Sequence, residues 1–153
     1  MSTIEESIDI AVPVRTAYNQ WTQFEEFPSF MEGVERVTQQ DDTRLHWVAD
    51  IAGVQREWDA EITEQQPDER VAWTSTTGTK NAGVVTFHRL DEDRTRVMLQ
   101  LDVEPDDLVE KVGDALGFVR RRATGDLKRF KEMIESRGSE SGEWRGEVPR
   151  SNP

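Results

Sequence analysis

The chain has 153 residues, of which 35% are hydrophobic and 33% charged, and this length and composition predict one domain with a sizeable core. It contains no cysteine, which excludes a disulfide framework, a thiolate nucleophile and a cysteine-based zinc site. A net charge of −12 repels phosphate backbones, so we do not expect nucleic acid as a partner. No stretch approaches the roughly 18 apolar residues of a membrane span and the N-terminus carries no secretory signal, so we expect a cytoplasmic protein without stable membrane insertion.

The first part of the chain predicts one strand followed by two short helices. Ile4, Ile8 and Ile10 share one parity of an alternating segment, which is the pattern of a half-buried strand. Pro13 then suits the first position of an amphipathic helix. The stretch 24–31 is rich in phenylalanine and interrupted by Pro28, and it predicts a second short helix because it is too apolar for an exposed loop.

Between Gly33 and Val103 the hydrophobic period changes to two, and turn residues recur at short intervals. This pattern predicts six strands joined as successive hairpins, because connections this short cannot carry parallel crossovers. The apolar residues keep one parity along each strand, so one face of the sheet is expected to be buried. The predicted turns lie at residues 41–42, 52–53, 67–68, 78–81 and 91–93.

The C-terminal part predicts a long amphipathic helix from Asp107 to Arg137. Asp107 and Glu110 fit a capping box, and apolar residues then recur at spacings of three and four until Gly138. Residues 138–153 have no periodicity and are rich in polar residues and glycine, which predicts disorder. The expected organisation is a folded domain over residues 1–137 and a disordered C-terminal tail over residues 138–153.

This order of elements predicts an α+β fold. A strongly twisted antiparallel sheet curls around a single helix and leaves space between the two. We therefore expect a curved seven-stranded antiparallel sheet wrapped around the long C-terminal helix, with two short helices after the first strand.

Several local features accompany this order, namely Ser7, Ile8 and Ile10; Trp21, Phe24, Phe27 and Pro28; the run Glu57–Ile62; and Gly83–Phe87. With them, residues 4 to about 134 resemble the START-like, helix-grip superfamily, which includes the polyketide cyclase/dehydrases and the coenzyme Q-binding proteins. The resemblance implies an internal cavity that binds an apolar small molecule. It also implies, as in a minority of members, that the same cavity cyclises or dehydrates polyketides.

Large aromatic side chains follow the concave face of the predicted sheet. Trp47, Trp58 and Trp73 occupy equivalent parity on three successive strands, and Phe87 joins them on the next. Rings in such positions either fill the gap between sheet and helix or line a cavity suited to a planar or isoprenoid ligand.

Two polar residues share that face. Arg56 has the parity of Trp58, and Ser75 has the parity of Trp73. We hypothesise that the Arg56 guanidinium binds a carbonyl, carboxylate or enolate of the ligand, whereas the alternative is that it reaches solvent or pairs with an acid such as Glu6. The complete set of candidate ligand-binding residues is Phe27, Phe30, Trp47, Ile51, Arg56, Trp58, Trp73, Ser75, Phe87, Gly113 and Leu116.

Other residues carry weaker signals. Gly113 and Gly117 remove side-chain volume from one stripe of the long helix, which either widens the mouth of the cavity or allows close packing. Tyr18 is either a proton donor in the cavity or a core residue. His46 and His88 alternate with buried aromatic residues, so we expect them on the wet face, and neither a metal site nor a cofactor is predicted.

Three functions follow from these observations. The first is binding or transport of a hydrophobic small molecule, such as a polyketide, quinone or lipid, in the cavity. The second is an aromatic polyketide cyclase or dehydratase that uses the same cavity, although the sequence names no catalytic residue. The third is a protein-interaction module, as in the Hsp90-activator branch of the fold, with a collapsed cavity. Bases around Arg120–Arg122 form either a solvated helix face or a surface for an acidic partner or for transient membrane contact.

Overall fold

The computed structural model describes residues 2–104 and 114–150. The chain forms two α-helices, one 3₁₀ helix and seven strands within these residues. In chain order the elements are β1 (Ser2–Ile10), α1 (Val14–Trp21), the 3₁₀ helix (Phe24–Ser29), β2 (Val34–Gln39), β3 (Arg44–Ile51), β4 (Val54–Gln66), β5 (Arg70–Gly78), β6 (Asn81–Asp91), β7 (Arg94–Val103) and α2 (Ala115–Arg137).

The seven strands form one antiparallel sheet in the order β1-β7-β6-β5-β4-β3-β2. Strands β2 to β7 are a meander of hairpins, as predicted, and the turn between β3 and β4 is made by Ala52 and Gly53, both with positive φ. The first strand pairs with the last, from Ser2 opposite Val103 to Ile10 opposite Thr95. The predicted α+β helix-grip fold is therefore confirmed.

The core lies between the concave face of the sheet and the three helices. Trp21 is its centre, with ring centroids 5.3 Å from Phe27, 5.8 Å from Phe30 and 5.1 Å from Phe130. Each of these rings is at most 4% exposed. Because α1 and the 3₁₀ helix pack their aromatic residues against the far end of α2, this end of the fold is filled.

Helix α2 is described from Ala115 to Arg137, and the predicted start at Asp107 lies outside the described residues. Asp114 is its N-cap, and its carboxylate accepts a hydrogen bond of 2.9 Å from the backbone N–H of Gly117. A Cβ at position 117 would require this carboxylate to move, so glycine leaves room for the cap. The predicted capping box of Asp107 and Glu110 lies outside the described residues.

Helix α2 buries one stripe of side chains. Its buried stripe runs through Ala115, Val119, Ala123 and Leu127 at a constant spacing of four, and continues to Phe130 and Ile134. Leu116, which the predicted rhythm places on this stripe, lies beside it and is 36% exposed. Gly138 ends the helix with a φ of 73°, as predicted. No helix among the described residues has the length and apolarity needed to cross a membrane.

Residues 139–150 lie against α1 and the end of β4. Val148 and Gln65 exchange two backbone hydrogen bonds, each of 2.9 Å. The backbone N–H of Trp144 donates to the hydroxyl of Thr22 over 3.1 Å. These contacts cover a polar surface that would otherwise face water, since Gln65 and Thr22 are at most 3% exposed.

Arg145 makes the largest set of side-chain contacts in this segment. Its guanidinium donates to the amide oxygen of Asn19 over 2.6 Å, lies 2.9 Å from the carboxylate of Asp68, and sits 5.6 Å from the ring centroid of Tyr18. The division of the chain at residue 137 and the disorder of the tail stay predictions, which a deletion tests directly.

Deletion of residues 139–153 is expected to lower the free energy of unfolding by about 2 to 4 kcal/mol, because several hydrogen bonds worth about 0.5 to 1.5 kcal/mol each are lost. Urea unfolding of the full and shortened chains measures the difference. Equal stabilities would instead support a disordered tail.

Candidate functional site

A cavity of about 190 Å³ lies between the concave face of the sheet and α2. All but four of its lining residues are apolar. Strand β3 shows how the sequence builds the wall, because every second residue from Leu45 to Ile51 faces it. The lining residues are Trp21, Phe24, Phe27, Met31, Glu32, Val34, Leu45, Trp47, Ala49, Ile51, Trp58, Ile62, Val71, Trp73, Asn81, Leu99, Leu101, Val103, Phe118, Val119, Arg122, Ala123, Asp126 and Leu127.

The structure brings five of the predicted site residues together at this wall. They are Phe27, Trp47, Ile51, Trp58 and Trp73, contributed by the 3₁₀ helix and by strands β3, β4 and β5. Their placement puts large flat rings around the cavity, as the strand parity predicts.

Two predicted aromatic residues lie in the packed core instead of the cavity wall. Phe87 is 5% exposed and packs edge-on against Tyr18, with centroids 5.4 Å apart. Phe30 is 2% exposed and packs against Phe130, with centroids 5.1 Å apart. Strand parity predicts which face of the sheet Phe87 lies on, but not whether other side chains cover it. This part of the concave face is covered by α1 and the end of α2.

Three more predicted residues, Arg56, Ser75 and Leu116, do not line the cavity. Arg56 is half-buried opposite Ala49 and is not part of the wall. The hydroxyl of Ser75 accepts a hydrogen bond of 3.0 Å from the backbone N–H of Asn81, so it supports the β5–β6 turn. Leu116 lies beside the buried stripe of α2, and Gly113 lies outside the described residues.

Tyr18, considered above as a proton donor, is a core residue. It is 0% exposed, and its hydroxyl accepts a hydrogen bond of 3.1 Å from the side chain of Gln65. Burial raises the pKa of this phenol above its ordinary value. Tyr18 does not line the cavity, and His46 and His88 do not line it either.

A group of charged residues that the sequence did not single out lies at the cavity wall on α2. Asp126 accepts hydrogen bonds from Arg129 over 2.5 Å and from the backbone N–H of Glu32 over 3.0 Å. Arg122 donates to the backbone carbonyl of Glu32 over 2.7 Å, and its guanidinium lies 5.1 Å from the ring centroid of Phe118. These contacts tie α2 to the loop that follows the 3₁₀ helix.

Burial of Asp126 raises the pKa of its carboxyl group, although its bonds to Arg129 and to the backbone of Glu32 oppose this shift. The sequence contains a signal for the position of Asp126 beside the core. Asp126 follows Ala123 by three residues and precedes Leu127, which places it at the edge of the apolar stripe. Neither interpretation given above for the charges of this helix, a solvated face or a surface for a partner, places Asp126 at a cavity.

The three tryptophans of the sheet wall are held differently. Trp47 and Trp58 lie opposite each other in the register of β3 and β4, with nearly parallel rings 12° apart and centroids separated by 5.6 Å. Trp73 lies across Gly83 on β6, where a Cβ would come within 2.7 Å of the ring. The indole N–H of Trp73 donates to Asn81 over 3.1 Å.

The whole of this architecture agrees with the comparison to known protein families. Residues 10–132 match the family described as polyketide cyclase / dehydrase and lipid transport, and the chain belongs to this family. A Streptomyces lincolnensis protein, described as an uncharacterized 17.2 kDa protein in the melC2-rnhH intergenic region, is 65% identical over 149 residues, which are 97% of this chain and 99% of that protein.

Two solved structures illustrate the shared fold. The Zhui aromatase/cyclase from Streptomyces sp. R1128 is 17% identical with a TM-score of 0.72, over 94% of this chain and 99% of that chain. A START superfamily protein from Mycobacterium smegmatis is also 17% identical, with a TM-score of 0.67 over 88% of this chain and 95% of that chain. The START-like resemblance is confirmed, and the family supports a ligand-binding or cyclase role in general.

The raised pKa of Asp126 predicts a pH dependence of stability. A carboxyl group that holds its proton more tightly in the folded state stabilises the fold below the ordinary value of 3.8, and this contribution is lost as the pH rises through the raised pKa. Asp126→Asn removes the titration and keeps an oxygen that accepts the same bonds. The stability of the variant relative to the wild type is therefore expected to increase between pH 4 and pH 7.

Urea unfolding of both proteins at the two pH values measures this change, and other carboxyl groups cancel in the comparison. A stability difference that is constant with pH, or that moves in favour of the wild type, would contradict the direction given for Asp126.

Proposed function

We propose that this protein binds an apolar small molecule, such as a polyketide, a quinone or a lipid, in the cavity between the sheet and α2. The observation that carries the proposal is an apolar space of about 190 Å³ in a core that is otherwise crowded with aromatic rings. An engineered apolar cavity of about 150 Å³ stays dry and binds benzene, so this space accommodates at least one ring.

The energetic cost of the cavity also supports a binding role. Residual cavity volume destabilises a protein by roughly 24 cal/mol per Å³, so an empty space of this size costs on the order of 5 kcal/mol. That is a large fraction of the stability of a typical domain, about 5 to 15 kcal/mol. Occupation by a ligand recovers this loss, because the ligand restores the missing van der Waals contacts.

The open cavity weighs against the protein-interaction module. That function was expected to leave a filled interior and to rely on the outer charged surface. Here the small side chains of Ala123 and Val119 line a space that the protein leaves unfilled.

A variant that fills the cavity tests the binding proposal. Ala123→Leu adds three carbon atoms at the wall, and it is expected to weaken the binding of the bicyclic hydrocarbon tetralin by tenfold or more, as measured by isothermal titration calorimetry. Lys128→Leu makes the same residue type at an exposed position of the same helix, and it is expected to bind tetralin like the wild type. Equal affinity of Ala123→Leu and the wild type would contradict the proposed site.

A cyclase or dehydratase activity is the second candidate, and Asp126 favours it. A carboxyl group whose pKa is raised by burial beside an apolar cavity is a candidate for proton transfer to a bound ligand. Arg122, on the same wall, adds a positive charge where an enolate oxygen would need one. The Zhui aromatase/cyclase has the same fold, which is compatible with this chemistry.

Native mass spectrometry separates the two functions. Protein purified without denaturation is analysed for a co-purifying small molecule, and that molecule is then returned to fresh protein. A ligand of unchanged mass after incubation supports a carrier. Loss of water from the ligand with the wild type, but not with Asp126→Asn, supports a dehydratase.

A further inference from the structure

Two of the three wall tryptophans have an indole N–H group without an acceptor. The Nε1 atoms of Trp47 and Trp58 are buried and have no hydrogen-bond partner, whereas Trp73 is bonded to Asn81. A buried donor without an acceptor is costly, and most buried polar groups in native proteins have a partner. Two such donors in one stacked pair at the wall of a cavity therefore call for an explanation.

The other polar groups of the described wall are already engaged. Asn81 accepts from Trp73, Asp126 accepts from Arg129, and Arg122 donates to the backbone of Glu32. The Glu32 carboxylate lies 3.8 Å from Arg122 and 3.6 Å from Arg129. The stacked indoles are the polar groups of this wall that still require a partner, and both are donors only. Phenylalanine at these two positions would give an apolar wall without that requirement.

We propose that the Trp47–Trp58 pair selects ligands that carry a carbonyl oxygen, which accepts an indole N–H when the ligand enters. The inference rests on the proposed function and specifies its ligand as a flat, mainly apolar molecule with a ketone or quinone oxygen. A carbonyl oxygen has two lone pairs, so one such group can accept from either indole or from both.

The position of the nitrogens adds a structural consequence. Both are shielded from the empty cavity as well as from bulk water, so the indole rings must shift when the oxygen approaches. Ligand binding is therefore coupled to a change in the stacked pair. A change in the environment of the two indole groups can therefore be measured independently of the ligand affinity.

The experiment compares two ligands of nearly the same shape, α-tetralone and tetralin, which differ by one carbonyl group. The ratio of the tetralin Kd to the α-tetralone Kd is measured by isothermal titration calorimetry. In Trp47→Phe and Trp58→Phe, which keep an aromatic ring and lose the donor, this ratio is expected to fall by about 3- to 10-fold relative to the wild type, in one variant or in both.

Trp73→Phe is the matched control, because its N–H is already bonded within the protein. This change is expected to affect both ligands alike and to leave the ratio as in the wild type. Ratios that are equal in the wild type and in all three variants would overturn the inference while leaving the cavity as a binding site. Failure of both ligands to bind the wild type would overturn the proposed function, and the inference with it.

A second measurement uses the unaltered protein, and so remains decisive if a tryptophan variant does not fold. In the NMR spectrum of isotope-labelled wild type, the indole N–H signal of Trp47 or Trp58 is expected to move downfield with α-tetralone and not with tetralin. The Trp73 signal is expected to show no such difference. Identical responses of all three indoles to the two ligands would overturn the proposal.

Discussion

The cavity depends on a gradient of side-chain size along one face of α2. Its first turns present Ala115, Val119 and Ala123 to the sheet, and its last turns present Phe130 and Ile134. The large residues interlock with aromatic rings from α1 and the 3₁₀ helix and close one end of the fold. Val119 and Ala123 line the cavity together with the tryptophans of the sheet, while Ala115 and Val119 pack against Ile4 and Val103. The space therefore lies at the end of α2 that carries the smaller buried side chains.

This constraint decides which residues of the concave face are structural and which are available to a ligand. Phe30 packs against Phe130 of α2 and Phe87 packs against Tyr18 of α1, while Trp47, Trp58 and Trp73 line the cavity. The same geometry brings Asp126 to the boundary between the two regions. There it is tied to Arg129 and to the backbone of Glu32, so the charged group fixes α2 to the adjacent loop at the edge of the apolar space.

Strand parity and turn chemistry were enough to predict the seven strands and their antiparallel hairpins. They placed the tryptophans on the concave face without deciding between core filling and cavity lining. The helix start predicted at Asp107 lies outside the described residues, which show a helix from Ala115 with Asp114 as its N-cap. The position of Leu116 beside the buried stripe was not predicted. Depth could not be predicted, because two residues of equal parity, such as Trp73 and Phe87, differ only in which helix residues cover them. The unpartnered indole N–H groups of Trp47 and Trp58 could not be predicted from the sequence, because that prediction requires the position of every neighbouring hydrogen-bond acceptor.

The pairing of the first strand with the last has a consequence for how the chain acquires its structure. Residues of β1 meet their partners in β7 across about ninety intervening positions, whereas each hairpin of the meander joins neighbours in sequence. Contacts between distant parts of a chain are slow to form, because a long loop must close first. During synthesis each hairpin of the meander can form as its strands emerge, whereas β1 cannot pair until β7 has been synthesised.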